Sequence, residues 1–462
     1  MTINMSLNIF FVKQFLRIIS IFKGEKYKYS QEYEDNFKYM DNQEKLWWAY
    51  KALIKQIENA EKGKNIEEYF KKQDLTFCKD PSFKVEKTVT ITAGGDLNTS
   101  EVLTQDSFKH LWDEVEEFFF SGDIICSNLE TPLYTKQAMS GVPVMCFSAP
   151  GLNTTPEIFE HYAREGKGIN FFSTANNHSL DMGEEGLLGT LDFLDNNGYK
   201  YKHVGTSRTL KEQRDIPIIE KNGVKIAFLA YTYCLNGNDV IPGKEYMTNV
   251  IRLNKSGTDI SLIEEHIKIA HEKEADIIVA MLHWSIEFET YPIQNVIEMG
   301  HKIMEAGVDI ILGGHPHVAQ PMEKYDFIDP FTKIKKEGFI IYSFGELVSY
   351  AVFSKNSRLA LLLKLEISKG IQYGKEVTKV TDLNVFPIYT LISKLEDGRY
   401  DYRLLNFIKI LSSLSKGENP YDFTKAQIKE FKRLEKLLFE KLLPDDNLTT
   451  IYKTDFIKDE LC

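Results

Sequence analysis

Short apolar runs that end in polar residues recur along the middle of this chain, and they constrain its fold more than any other feature. Seven of them carry almost no charge between their ends: KTVTITAGGD, DIICSNLE, INFFSTANNH, VKIAFLAYTY, ADIIVAMLHW, VDIILGGHPH and FIIYSFGE. Apolar runs of this length are typical of strands that are buried on both faces. The pattern therefore predicts sheets that are covered on both sides by other layers.

Stretches with helical spacing lie between these runs. In EEGLLGTLDFLDNNG, apolar residues recur at Leu187, Leu191 and Leu194, and Gly198 stands where a carboxyl-terminal cap belongs. PIQNVIEMGHKIMEAG begins with a proline, which suits a first helical turn, and ends on a glycine. Strands that alternate with helices in this way predict an α/β fold.

The chain divides into three parts by pattern. Residues 1–83 are predicted to form a helical amino-terminal extension, residues 84–392 the α/β domain, and residues 393–462 a helical carboxyl-terminal extension. The amino-terminal part shows no motif with recognisable chemistry. We therefore expect the function to lie in the α/β domain.

Composition excludes some classes of partner. The formal net charge of −11 argues against nucleic acid, because phosphate backbones require a basic surface. The five cysteines are odd in number and form no CxxC motif, which is typical of free thiols in a reducing compartment. We expect neither a nucleic-acid partner nor a disulfide framework.

The amino-terminal stretch MTINMSLNIFFVKQFLRIISIFKGEKYKY is apolar, but Lys13, Arg17 and Lys23 interrupt it. It is too interrupted for a transmembrane segment, and no small-residue cleavage site of a signal peptide follows it. We expect an amphipathic helix and a cytoplasmic protein. Peripheral attachment to a membrane through that helix is the alternative.

Polar side chains gather where the apolar runs stop, which is where open α/β sheets place their sites. The residues at these ends are Asp96, Asn128, Glu130, Asn176, Asn177, His178, His283, His315 and His317. Carboxylate, amide oxygen and imidazole ligands suit Mn²⁺, Mg²⁺, Fe or Zn²⁺. Taken singly, each residue has an ordinary explanation as a turn asparagine, a helix cap, a surface acid or a core histidine. Together they predict a site for one or two divalent ions.

The histidine pair is expected to converge on one point. His315 and His317 flank a proline just after the run VDIILGG. A strand places residues i and i+2 on the same side, so the two imidazole rings can converge on one point. Two converging imidazoles supply half of a typical first ligand shell.

Several of these motifs resemble those of the capsule-synthesis CapA family, which belongs to the calcineurin-like metallophosphatase superfamily and is associated with poly-γ-glutamate synthesis. The similarity lies, in order and spacing, in TAGGDL, SNLETPL, ANNHSLDMGEEGLLGTLDFLDNNG, HWSIEFETYP and AGVDIILGGHPHVAQPMEKY followed by IIYSFGE. It spans residues 88 to about 350. The resemblance implies a metallophosphatase-like β-sandwich flanked by helices, a four-layer αββα arrangement.

The resemblance also implies roles for individual residues. Its candidate metal ligands are Asp96, Glu130, Asn177, His283, His315 and His317. His178 would donate a proton to the leaving group, and Asp181 would orient it or cap the following helix. Asn128, Asn176 and Trp284 are expected to contact the substrate.

Four positions depart from the pattern that the resemblance leads us to expect. The first motif, usually Asp-x-His, contains Asn98, and the bridging acid is Glu130 instead of an aspartate. A usual tryptophan-glycine pair contains Ser285, and a usual glycine-asparagine pair contains Glu346. The site could therefore bind one metal ion, or two metal ions with unequal affinity.

Two classes of function follow. The first is a metal-dependent hydrolase or transferase for a phosphoester or amide in a poly-γ-glutamate-type or related envelope polymer, a peptide-like product or a small substrate. The second is a non-catalytic accessory protein that binds an anionic polymer or its synthesis machinery, with proteins of a biosynthetic pathway as partners. Fold similarity cannot decide between them, because function depends on the site.

Overall fold

The computed structural model describes residues 2–30, 36–77, 80–140, 151–349 and 354–443. Two cysteines in these ranges, Cys126 and Cys234, are buried and form no disulfide. Cys78, Cys146 and Cys462 lie outside the described residues. Among the helices of the described ranges, none has the length and apolar character that a membrane crossing requires.

Strands make up two sheets in the described part of the chain. In chain order they are β1 (Phe83–Leu97), β2 (Ile124–Leu129), β3 (Phe171–Ser173), β4 (Lys202–Val204), β5 (Ile218–Lys221), β6 (Val224–Thr232), β7 (Ile277–His283), β8 (Ile310–Gly314), β9 (Ala319–Ile328), β10 (Lys335–Phe344), β11 (Glu346–Val348), β12 (Leu359–Gln372), β13 (Lys375–Lys394) and β14 (Tyr400–Asn406).

Helices connect and cover these strands. In chain order they are α1 (Thr2–Lys23), α2 (Asn42–Leu53), α3 (Ile66–Lys71), α4 (Glu116–Phe119), α5 (Pro156–Tyr162), α6 (Gly183–Asn196), α7 (Leu210–Gln213), α8 (Ser261–Glu272), α9 (Gln294–Glu305), α10 (Phe407–Ser415) and α11 (Lys425–Leu437). The predicted helices in EEGLLGTLDFLDNNG and PIQNVIEMGHKIMEAG correspond to α6 and α9 and are confirmed.

The first sheet has the order β14-β13-β12-β1-β2-β3-β4, with β11 added beside β1, and the second has the order β5-β6-β7-β8-β10-β9. The strands from β1 to β4 pair in parallel, as do β6, β7, β8 and β10. Parallel neighbours end at the same edge of a sheet. The carboxyl ends of both parallel sets can therefore contribute side chains to one site.

Three apolar clusters separate the layers. Between the sheets, Phe171 of β3 stacks on Phe228 of β6 with ring centroids 4.0 Å apart. The outer face of the second sheet packs on α8 and α9, through residues such as Leu229 and Ile303. The outer face of the first sheet packs on α4 and α5. This order of helix, sheet, sheet and helix confirms the predicted metallophosphatase-like α/β sandwich with additional helices.

The carboxyl-terminal part begins with a strand that was not expected. β14 lies within the segment predicted to be helical, and it extends the first sheet by pairing with β13. Its sequence YDYRLLN places Tyr402 and Leu404 on one buried face with Arg403 between them, which is the alternation of a strand. Helices α10 and α11 follow it, as predicted. The three-part division of the chain stays a prediction.

The amino-terminal part packs on the domain through α2. Asp41 caps this helix by a capping box with Glu44. Lys51, near its end, forms an ion pair with Glu289 at 3.0 Å, and both side chains are fully buried. Backbone hydrogen bonds join Ile57 to Phe288 and Thr290. The extension is thus anchored to the loop that follows β7.

The buried ion pair yields a prediction about stability. Replacing one partner of such a pair leaves an uncompensated buried charge, which costs about 3–5 kcal/mol. We expect Lys51→Met to lower the free energy of unfolding by that amount in urea denaturation. The double variant Lys51→Met/Glu289→Met should recover most of the loss, and Lys55→Met, at an exposed position, should change little. A loss below about 1 kcal/mol for Lys51→Met would contradict the prediction.

Candidate metal centre

The predicted polar residues meet at the carboxyl ends of the parallel strands. Asp96 lies near the end of β1, Glu130 directly after β2 and His283 at the end of β7. The ANNH segment follows β3, and the two histidines of HPH follow β8. All of these side chains are buried except His317, which is 13% exposed. The structure therefore brings the predicted residues together at one edge of both sheets.

Two glycines allow the strand ends to approach each other. A Cβ atom on Gly95 would lie 1.8 Å from the carbonyl oxygen of Gly345, and one on Gly314 would lie 2.6 Å from Asp96 Oδ1. The first contact is with backbone, so glycine is required at position 95, whereas a side chain at position 314 would force the Asp96 carboxylate to shift. The close approach also lets Asp96 Oδ2 accept a hydrogen bond of 2.9 Å from the backbone N–H of His315.

The histidine pair converges by a different route from the one predicted. Strand β8 ends at Gly314, so strand alternation does not orient the two rings. Instead, His315 and His317 adopt positive φ angles of 97° and 57°, and their ring centroids lie 5.8 Å apart. Left-handed backbone costs about 1–3 kcal/mol at each non-glycine residue, and it is concentrated at functional sites.

Three groups of side chains among the described residues hold ligand atoms close enough to share an ion, and Glu130 belongs to two of them. One of these two is Asp96, Glu130 and His317, and the other is Glu130, His283 and His315; within each, the ligand atoms lie within 4.8 Å of one another. Glu130 Oε1 is buried and lies 3.3 Å from His283 Nε2. It accepts no hydrogen bond from the described residues. A cation would satisfy this oxygen, so the donor set fits a divalent metal.

The asparagines of the site form a hydrogen-bonded chain beneath these groups. Asn128 donates to Asp96 Oδ1 at 2.8 Å, and Asn176 donates to Asn128 Oδ1 at 3.2 Å. Asn177 Oδ1 lies 3.1 Å from His283 Nε2, so it can join the group that contains His283. Asn128 and Asn176, expected to contact substrate, are instead placed where they orient Asp96 and the ANNH segment.

Asn98 stands where the first motif usually has a histidine. Its side-chain amide donates to Glu130 Oε2 at 2.9 Å and lies 3.4 Å from Glu346 Oε2. It thus joins two carboxylates that would otherwise repel each other. The Asp96 group consequently has one nitrogen ligand fewer than a group with histidine at this position.

His178 forms a buried pair with Asp181. Asp181 Oδ2 accepts a hydrogen bond of 2.5 Å from His178 Nδ1, and the same oxygen accepts one from the backbone N–H of Leu152. The opposite nitrogen, Nε2, lies 3.9 Å from Glu130 Oε1. Burial lowers the pKa of His178, but Asp181 outweighs burial and raises the pKa above its ordinary value. The imidazole can therefore present a proton toward the centre.

His283 and His317 differ in the direction in which their pKa values are shifted. Burial lowers the pKa of His283 well below its ordinary value, and His315 adds to the shift. Burial also disfavours the charged form of His317, but the carboxylates of Glu346 and Glu130 raise its pKa well above the ordinary value. His283 is therefore a ready neutral ligand, whereas a cation bound at His317 would displace a proton.

The structure separates one predicted site residue from the rest. Trp284 is fully buried against α9; its indole N–H donates to the Tyr342 carbonyl at 3.1 Å, and its ring stacks on that of Tyr342. It is a core residue and does not face the metal groups. Its position directly after His283 was misleading, because successive residues at a strand end point to opposite faces.

Two acids near His317 were not predicted as site residues. Glu346 Oε1 lies 2.9 Å from His317 Nδ1, and Glu287 Oε1 lies 3.3 Å from His317 Nε2. Glu287, His315 and His317 form a third group with ligand atoms within 4.8 Å. The signal for Glu346 was its replacement of an expected asparagine. Glu287 lies within HWSIEFETYP and carried no separate signal.

Comparison with known proteins identifies relatives for the part of the chain that contains the site. Residues 90–351 match the family model described as bacterial capsule synthesis protein PGA_cap. The "Capsule biosynthesis protein CapA" of Bacillus anthracis is 24% identical over 320 residues, covering 64% of this chain and 71% of the relative. The "PGA biosynthesis protein CapA" of Bacillus subtilis (strain 168) is 29% identical over 287 residues, covering 61% and 67%.

The shared position of Glu130 leads to a prediction about metal binding. Glu130→Gln keeps the shape of the side chain but removes a charge from both groups. We expect it to weaken Mn²⁺ binding by at least ~100-fold, beyond the range typical of outer-shell partners, and more than His317→Ala does. Elemental analysis and calorimetric titration of the full chain would measure this. Glu272→Gln, in an exposed pair with Lys268, is the matched control, and equal binding by both glutamine variants would contradict the prediction.

Proposed function

Because the chain belongs to the bacterial capsule synthesis protein PGA_cap family, we propose that it is a metal-dependent hydrolase or transferase that acts on a phosphoester or an amide. The observation that carries this proposal is the position of His178. Its Nδ1 is bound by Asp181, while its Nε2 lies 3.9 Å from the carboxylate shared by two metal-binding groups. A proton donor and a cation site thus face one another.

The residues that would hold the ions are those of the two groups. Asp96, Glu130 and His317 would hold one, and Glu130, His283 and His315, with Asn177, the other. A divalent ion in such a site supplies a Lewis acid and a water of lowered pKa.

The chain's own residues supply proton transfer and orientation. His178 Nε2 donates a proton to the departing oxygen or nitrogen of the substrate, a role that typically contributes 10²–10⁴-fold to rate. Asp181 keeps the Nδ1 proton in place and stabilises the charged imidazole. Asn236 and Asn238 approach His178 Nε2 and Asp181 Oδ1 at 3.4 and 3.3 Å, and they limit the orientations of the pair.

The substrate is proposed from the relatives. Their names refer to capsule and PGA biosynthesis. We therefore place the chain in the synthesis of a poly-γ-glutamate-type or related envelope polymer or peptide-like product. The bond acted on would be a phosphoester or amide of the polymer or of a small precursor.

A second candidate is an accessory protein that binds the polymer or its synthesis machinery without turnover. Asn98 favours it, because this residue joins Glu130 to Glu346 by its amide and leaves the Asp96 group with a single imidazole. A weaker ion at that position would lower the catalytic capacity of the centre while leaving a binding surface.

Turnover of simple substrates separates the two candidates. We expect hydrolysis of bis(p-nitrophenyl) phosphate or γ-glutamyl-p-nitroanilide that depends on added Mn²⁺ or Zn²⁺. His178→Ala should lower the rate with γ-glutamyl-p-nitroanilide, whose amine must be protonated as it departs, by about 10²–10⁴-fold. It should leave the metal content unchanged, because His178 is outside both ligand groups. The rate and the metal content would be measured on the same samples.

A matched control is available for this variant. His203, in β4, forms a similar pair with Asp195 at 2.9 Å, and neither residue belongs to the metal groups. His203→Ala should therefore leave the rate unchanged. Wild-type protein that binds metal and poly-γ-glutamate but turns over neither substrate class would overturn the catalytic proposal in favour of the accessory one.

A further inference from the structure

The amino-terminal segment, defined here as residues 36–61, lies outside the family match but contacts two loops of the metal centre. The match begins at residue 90. One of the two loops follows β7 and carries Glu287; the other follows β6 and carries Asn236 and Asn238. A segment outside the matched residues can therefore influence residues within them.

Contact with the loop after β7 is extensive. The backbone N–H of Ile57 donates to the Phe288 carbonyl at 3.1 Å, and that of Thr290 donates to the Ile57 carbonyl at 2.8 Å. Lys51 adds its buried ion pair to Glu289. Phe288 itself has a positive φ of 58°, which is uncommon for a residue other than glycine, and the two backbone hydrogen bonds flank this residue.

One side chain of the segment continues this contact into the centre. Trp48 lies one turn before Lys51 on the same face of α2, and its indole N–H donates to Glu287 Oε2. The other oxygen of that carboxylate, Oε1, lies 3.3 Å from His317 Nε2. Glu287 thus joins the amino-terminal segment to a histidine of the site. Its side chain is only 14% exposed.

The second loop is held in the same manner. The Asn36 side chain donates to the carbonyls of Leu235 and Asn238, at 3.1 and 2.8 Å, and accepts from the Gly237 backbone N–H at 2.7 Å. This loop is the one whose asparagines approach the catalytic pair. The segment therefore touches both the metal-binding and the proton-donating sides of the centre.

We propose that the amino-terminal segment completes the metal centre, with Glu287 as a ligand beside His315 and His317 and with Trp48 as the residue that positions its carboxylate. The ligand atoms of these three residues lie within 4.8 Å of one another. One carboxylate oxygen faces the histidines, while the indole fixes the other, as outer partners commonly orient a metal ligand. The proposal rests on the metal centre of the proposed function and adds to it the Glu287 carboxylate, which lies within the family match, and a positioning element that lies outside that match.

Neighbouring tryptophans on α2 distinguish positioning from simple packing. Trp47 is almost fully buried among Tyr27 and Tyr50, and its Nε1 has no hydrogen-bond partner among the described residues. Trp47→Phe therefore removes packing but no hydrogen bond. Trp48→Phe removes the donor to Glu287 and keeps an aromatic ring beside Phe288.

The test is a titration of the full chain with Mn²⁺ alone. Calorimetry and the electron paramagnetic resonance signal of the free ion would both measure the binding. We expect Glu287→Gln to weaken binding by about 10–100-fold and Trp48→Phe by about 10-fold, with Trp47→Phe within twofold of wild type. The double variant Trp48→Phe/Glu287→Gln should bind as Glu287→Gln does, because the two changes act on one interaction.

The outcomes separate this proposal from the one on which it rests. Wild-type protein that binds Mn²⁺, together with Trp48→Phe and Glu287→Gln variants that bind it within twofold of wild type, would overturn the role of the segment and leave the centre intact. A wild type that binds no Mn²⁺ would overturn the centre itself. Equal losses of Mn²⁺ affinity in Trp47→Phe and Trp48→Phe would show that Trp48 contributes only packing and would overturn its positioning role. The Glu287→Gln variant would then test the role of Glu287 as a ligand by itself.

Discussion

Buried charge at the strand ends is the constraint on which the rest of this structure depends. Asp96, Glu130 and Glu346 are all within 4% of complete burial, and they lie beside imidazoles instead of lysines or arginines. Removing a carboxylate from water costs several kcal/mol unless an opposite charge or several donors compensate. Burial accordingly raises the pKa of Glu346 to about 7, although His317 opposes the shift. A bound cation would compensate the charge of these carboxylates. The same buried carboxylates therefore account both for the electrostatic cost and for the proposed metal chemistry.

The backbone around the cluster is constrained by contacts between neighbouring loops. Positive φ angles occur in the loops that follow β7 and β8, at Ser285 and Phe288 in the first and at the two histidines in the second. Hydrogen bonds between the loops fix these conformations: Trp284 N–H donates to the Gly314 carbonyl and Phe288 N–H to the Pro316 carbonyl. Each loop therefore depends on its neighbour, and local sequence could not specify either alone.

That dependence explains which features the sequence could predict. The apolar runs specified both sheets, and the polar residues at their ends specified the edge where Asp96, Glu130 and His283 meet. These predictions need only local periodicity and the common direction of parallel strands. Trp284 was misplaced because one residue decides which face a side chain occupies at a strand end. Glu287 and Trp48 could not be found, since their contact joins residues 239 positions apart and has no periodic signal.

The two candidate ligand groups that share Glu130 differ in chemistry, and this bears on how many ions the proposed centre would hold. The Asp96 group offers two carboxylates and one imidazole, whereas the other offers one carboxylate, two imidazoles and the Asn177 oxygen. Oxygen ligands suit harder ions such as Mg²⁺ and Mn²⁺, and imidazole suits Zn²⁺ and Fe. Asn98 accounts for the difference in imidazoles, because a histidine at this position would give the Asp96 group two imidazoles as well. Two ions at these groups would therefore be held with unequal affinity, and the ions that the compartment supplies would decide which of the two positions has the higher occupancy.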